Sequence, residues 1–195
     1  MVQKRKVILV TDGDMVARGA VQQAAANVGA RCISQSAGNP TPLSGEELVN
    51  LVKQAVCDPV VIMLDDRGSP GAGRGERALA VIARHPDIEV LGVLAVASNT
   101  CGAEGVEVDE SVTCTGSVVR APVDKLGEIK NGAGGKLNGD TVDVLNDLSI
   151  PVVVGIGDIG KMDGADDITA GAPLTTRALR EIIDRSGFNG SGSRA

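Results

Sequence analysis

Four short runs dominated by aliphatic residues, each bounded by turn-forming residues, constrain this chain more than any other feature: RKVILVT at 5–11, PVVIMLD at 59–65, IEVLGVLAVA at 88–97 and IPVVVG at 150–155. A strand with one wet face alternates apolar and polar residues, whereas a near-continuous run of Val, Ile and Leu marks a strand covered on both faces. Between the runs lie stretches of helical composition. The first, 14–28, stops at Gly29; the second runs from Ser44 to about Val56, with Ser44 and Glu47 at capping-box spacing. The others cover about 76–84, ending before Pro86, then 139–148 and 174–185, and a short strand is expected at 31–34. Strand and helix in alternation give an α/β chain, a Rossmann-like, mainly parallel sheet with helices on both faces.

That alternation breaks at 105–123, GVEVDESVTCTGSVVRAPV, where apolar and polar residues alternate around Thr115-Gly116 as in a half-exposed β-hairpin. The polar, glycine-rich stretch 124–139 follows without periodicity. The expectation is one domain over 1–185, with a hairpin and loop insertion at about 105–138 and a linker-like, mobile tail at 186–195.

Phe188 is the only aromatic residue among 195, so the core must be aliphatic. The same lack removes base-stacking platforms, aromatic cages and polyproline grooves from the available functions. Nineteen Lys and Arg against 25 Asp and Glu leave a net charge of −6, a field that repels polyanions and argues against nucleic acid as a partner. No apolar run approaches the roughly 20 residues of a membrane-spanning helix. The apolar run near the N-terminus is also too short for a signal-peptide core and reads as an opening strand. Cys32, Cys57, Cys101 and Cys114 have no CxxC or metal-ligand spacing, which suits reduced thiols inside the cell.

Acids cluster where chemistry in such a fold is sited. In a doubly wound sheet ligands bind beyond the carboxyl ends of the strands, where the order reverses, here expected between the first and third strands. Asp12 and Asp14 follow the first run, Asp65 and Asp66 the second, and Asp158 and Asp163 the last. Asp12, Asp14, Asp65, Asp66 and Asp158 are therefore candidate metal ligands, their hard oxygen donors suited to Mg²⁺ or Ca²⁺. Helix capping and turns call for the same residue type at the same places. Arg67, Gly68, Gly71 and Arg74 belong to a glycine-rich, basic stretch that suits either a phosphate cradle or a flexible loop. Residues 155–160, GIGDIG, satisfy GxGxxG, but KMDGADD follows where a dinucleotide site needs a helix. Gly157 and Lys161 are kept as candidates in a tight ligand-binding loop, with a plain turn as the alternative. His85, the only histidine, sits at a helix end away from the strand tips, so no His-dependent triad and no catalytic residue is assigned.

VILVTDGD taken with VVIMLDDRGSPG resembles the acidic layout of Toprim domains, in which an acid after the first strand and a DxD after a later one hold Mg²⁺ for phosphoryl transfer, and the resemblance implies a Toprim-like sheet. Asp12 stands in place of the usual Glu, and the second acid of the DxD falls on Arg67 or Gly68. At greater length, VILVTDGD, RCISQSAGNPTPLSG, DPVVIMLDDRG, HPDIEVLGVLAVASNT, GDTVDVLN, IPVVVGIGDIGKMDG and GAPLTTRALREI resemble the stage V sporulation protein AE family of endospore-forming bacteria, in its soluble form, over about 4–185. That resemblance implies a role in sporulation and germination beside membrane proteins of the same operon, which move dipicolinic acid with Ca²⁺. It implies a location in the developing spore, peripheral at the inner membrane. Two hypotheses stand: a non-enzymatic accessory protein of that transport system, or a metal-dependent phosphotransfer or hydrolytic enzyme with a degenerate Toprim-like site. Direct binding of calcium dipicolinate would draw on Arg67, Arg74 and Lys161, and an oligomer is compatible with either hypothesis.

Overall fold

The computed structural model describes residues 3–68, 72–100, 102–130 and 135–189. In chain order the elements are β1 (Arg5–Val10), α1 (Met15–Asn27), β2 (Arg31–Cys32), α2 (Gly45–Gln54), β3 (Val60–Met63), α3 (Arg74–Arg84) and β4 (Ile88–Val96). Four short strands follow, β5 (Val106–Glu107), β6 (Glu110–Val112), β7 (Val118–Val119) and β8 (Lys136–Leu137), and then β9 (Val153–Ile156) and α4 (Pro173–Arg185).

The main sheet has the order β2-β3-β1-β4-β9-β6-β7, parallel throughout except for β7. The aliphatic runs are its centre: Val7 to Val10, Val60 to Met63 and Val93 to Ala95 have no exposed surface. Side chains alternate across the sheet, so Ile8 and Val10 meet α1 and α4 on one face while Val7 and Leu9 meet α2 and α3 on the other. The α/β character is as expected, but β3 enters between β2 and β1, an order that is neither 3-2-1-4-5-6 nor 2-1-3-4-5. The Rossmann-like and Toprim-like specifics therefore stay with the expectation.

The chain leaves β1 towards β2 and leaves β4 towards β9, in opposite directions. The reversal thus falls between the first and fourth strands, not the first and third. At that point Thr11 N–H still donates to Leu94 O at 3.1 Å, and Thr11 Oγ1 accepts from Val96 N–H at 2.9 Å. A side chain thus takes the place of a backbone carbonyl as the strands part.

Helix ends follow local chemistry. Ser44 and Glu47 form the capping box read from sequence, and Asp14 accepts from Val16 and Ala17 N–H at the start of α1. The helix expected at 139–148 is instead a 3₁₀ turn, Asp143–Asp147. Side chains claim its polar groups: Asp143 accepts from the amides of Glu104 and Gly105, and Val144 N–H donates to Glu76 at 3.2 Å. The hairpin around Thr115-Gly116 forms as β6 and β7, yet β6 also runs parallel to β9 and so continues the main sheet. Strands β5 and β8 pair separately. Phe188, in the stretch expected as tail, packs against the α1/α4 core, and residues 190–195 lie outside the described residues. Among the described residues no helix is long and apolar enough to cross a membrane.

Candidate functional site

Where β1 and β4 part, a crevice of about 170 Å³ opens, lined by Thr11, Asp12 and Asp14 after β1, Asp65 after β3 and Ser98 after β4. Asp158 and Lys161 after β9, with Asn39, Lys125 and Asp140 from the loops, complete it. Of the residues singled out in the sequence, Asp12, Asp14, Asp65, Asp158 and Lys161 meet here. One carboxylate oxygen from each of Asp12, Asp14 and Asp158 lies within 4.8 Å of the other two.

The Lys161 ammonium is bonded into that triad. It donates to Asp14 Oδ2 at 2.7 Å and Asp158 Oδ1 at 3.0 Å, while Lys125 Nζ stands 3.4 Å from Asp158 Oδ2. Burial opposes the charge on Lys161, but the hydrogen bonds and charges of Asp14 and Asp158 outweigh it and raise its pKa above the ordinary lysine value. Burial likewise pushes Asp14 up, and Lys161 with the Ala17 and Val16 amides pulls it back below the usual carboxylate range. Asp12 has no such cation: burial, with repulsion from Asp14, Asp65 and Asp158, pushes it up to about 7 against one hydrogen bond from Asp14 N–H. Asp65 is pushed up to about 6, chiefly by burial, although it accepts from Arg67 N–H at 2.7 Å and Gly13 N–H at 3.2 Å. The crevice thus holds two carboxyl groups whose pKa is raised towards neutrality beside the Lys161–Asp14 pair, in which each partner favours the other's charged form.

The other candidates lie elsewhere. Asp66 turns away from the crevice and caps α3, accepting from Gly75 N–H at 2.6 Å and Glu76 N–H at 2.9 Å. Arg67 and Gly68 are exposed and outside the crevice lining, Gly68 N–H donating to Asp140 at 2.7 Å. Arg74 donates to Pro42 O at 2.7 Å, and Gly71 lies outside the described residues. Gly157 serves packing: a Cβ there would stand 2.6 Å from Gly127 N and 2.8 Å from Lys125 O. Its bareness lets the 125–127 turn close over the end of β9 and carry Lys125 to Asp158. No helix follows Gly160 directly; 3₁₀ turns come first and α4 starts at Pro173, so the GxGxxG string lacks the helix N-terminus a dinucleotide needs. His85 caps the end of α3 and accepts from Asp87 N–H at 3.1 Å.

Sequence reasoning missed Lys125 and Asp140, which sit in or beside the aperiodic polar stretch, and Asp166, which holds the Lys161 loop. The fully buried Asp166 accepts from Gly160, Leu174 and Thr175 N–H and from the Thr175 hydroxyl. A wider depression of about 610 Å³ lies at the opposite end of the sheet, among Arg84, Glu89, Asp147 and Ser149. It lies away from the carboxyl strand ends where ligands bind in this architecture.

No curated protein matches the chain. Among solved structures it is similar to a domain of unknown function (DUF1537) from Bordetella bronchiseptica, at 20% identity and a TM-score of 0.36, covering 91% of this chain. The chain spans 40% of the length of that protein. The family model for stage V sporulation protein AE1 matches residues 6–186, nearly the whole length, and the chain belongs to that family, whose name denotes a role in sporulation.

Proposed function

We propose that the protein is a non-enzymatic accessory of the spore dipicolinic acid and calcium transport system, acting in sporulation and germination beside membrane proteins of the same operon, peripheral to the spore inner membrane. The observation that carries the non-enzymatic part is the Lys161 ammonium, bonded to two acids of the only three-carboxylate cluster found among the described residues. A side-chain cation already balances the charge that a divalent ion would need. Family membership supports the sporulation setting. The test is deletion and complementation in a spore former, scoring dipicolinate content and its release rate after nutrient addition. Deletion is expected to lower content or slow release, and Asp12→Ala, Asp65→Ala and Asp158→Ala variants report whether the crevice takes part. A deletion strain with normal content and release sinks the reading.

The closeness of Asp12, Asp14 and Asp158 favours one second reading, a metal-dependent phosphotransfer or hydrolytic enzyme. The three carboxylates would hold Mg²⁺ or Ca²⁺ only if Lys161 swung out. Millimolar Mg²⁺, Mn²⁺ or Ca²⁺ is therefore expected to leave the melting temperature of the native protein unchanged and to raise that of Lys161→Gln, because only a ligand that binds the folded state stabilises it. A clear rise in the native protein favours the enzyme.

A further inference from the structure

Among the described residues seven large aliphatic side chains are exposed, and five of them, Met15, Val16, Leu126, Ile129 and Ile168, belong to segments at the carboxyl end of the sheet. Met15 is 73% exposed, and Val16, Leu126 and Ile168 are each 48% exposed. None of the five lines the crevice, but their segments adjoin residues that do. Met15 and Val16 follow the crevice residue Asp14, and a Cβ on Gly160, next to Lys161, would stand 3.0 Å from Val16. Ile168 lies against α1, its Cδ1 being 3.1 Å from where a Cβ on Gly19 would stand, one turn beyond Met15. Leu126 and Ile129 belong to the turn that brings Lys125 to Asp158, pinned by the Val123–Ile129 bridge and by Asp158 N–H donating to Lys125 O at 2.8 Å. Apolar groups gathered around one site, rather than scattered singly, mark an interaction surface.

The charges between them choose the partner. Lys125 and Lys161 are engaged with Asp14 and Asp158, and among the described residues the four acids Asp124, Glu128, Asp163 and Asp167 enter no ion pair, against one exposed and unpaired cation in these segments, Lys130. The rim is thus aliphatic and acid-rich, on a molecule of net charge −6. An anionic bilayer is repelled, and a second copy would bring the same excess acid against itself. Cytoplasmic loops of membrane proteins carry the opposite bias, an excess of Lys and Arg. We infer that this rim docks a Lys- and Arg-rich cytoplasmic loop of a membrane protein, its aliphatic side chains against Met15, Leu126 and Ile168 and its cations against Asp163, Asp167 and Glu128. This rests on the accessory reading above and gives it a surface and a partner chemistry.

The test places a photocrosslinking p-benzoylphenylalanine at Met15, Leu126 or Ile168 of the full chain in sporulating cells, with Val56 and Val81, exposed elsewhere, as controls. Crosslinked peptides are identified by mass spectrometry. The rim positions are expected to capture a net-positive loop peptide of a membrane protein several-fold above the controls. Adding the paired changes Asp163→Lys and Asp167→Lys is expected to reduce that yield roughly tenfold through charge reversal. Crosslinks to lipid, to a second copy or to an acidic peptide overturn the inference, as does a yield no higher than at Val56. A basic peptide from a soluble protein keeps the charge logic but overturns the membrane partner. A deletion strain with normal dipicolinate content and release, alongside rim crosslinks to a basic membrane-protein loop, refutes the transport reading and leaves the surface standing.

Discussion

Asp166→Ala is expected to lower unfolding stability by about 4 kcal/mol, among the larger effects a single substitution has. The carboxylate has no exposed surface and takes three backbone donors, Gly160, Leu174 and Thr175, besides the Thr175 hydroxyl. Two of those amides open α4, whose preceding residue, Ala172, is left-handed at φ 48° and has no side chain that caps. Asp166 caps the helix from six residues upstream of Ala172 and ties it to Gly160, beside the lysine that holds the acids. Alanine strands these donors in the interior, each at roughly 1–3 kcal/mol before local relaxation. Asn is expected to fall between, because its amide keeps one acceptor and turns a donor on donors. Urea unfolding of the three proteins at one pH checks this. A loss below about 1 kcal/mol for Ala would mean that the α4 amides find other partners.

What was legible in the sequence is what local chemistry determines. The capping box of α2 needs only Ser44 and Glu47, and the buried strands need only continuous aliphatic runs. Asp12, Asp14, Asp65 and Asp158 could be placed together because strand ends of a parallel sheet share one side. Asp66 was misplaced for a reason that is itself local: neighbours in extended chain point to opposite sides, so Asp65 faces the crevice and Asp66 reaches α3. Lys125 and Asp140 were beyond reach, because nothing in an aperiodic stretch shows that the bare backbone of Gly157 will admit the 125–127 turn. The entry of β3 between β2 and β1 was equally hidden. It depends on which edge a two-residue strand takes, and two residues carry too little pattern to say.

Between pH 5 and pH 8 the fold is expected to lose stability as pH rises, by about 3 kcal/mol in metal-free buffer, since a tenfold difference in proton affinity between folded and unfolded chain corresponds to about 1.4 kcal/mol. Asp12 is raised to about 7 and Asp65 to about 6 from an ordinary value of 3.8, both chiefly by burial. Above that ordinary value the unfolded chain has released protons that the folded chain still holds. The advantage is complete below about pH 4 and is lost as pH passes first the Asp65 and then the Asp12 value. Taken at full size the two contributions would exceed 3 kcal/mol, but Asp12 is partly exposed and the two groups repel one another, so the sum is discounted. Asp14 acts with the opposite sign in a separate window: its pKa is lowered, its contribution is present at neutral pH, and it is lost only on acidification below the ordinary carboxylate range. Asp12→Asn, uncharged at every pH, is expected to stabilise the protein at pH 8 and to flatten most of the slope while leaving the acid limb in place. Urea midpoints at pH 5, 6.5 and 8 with EDTA present decide the matter. A midpoint that rises with pH would show that a cation pairs Asp12 in the crevice, and a slope untouched by Asp12→Asn would assign the pH dependence to Asp65 instead.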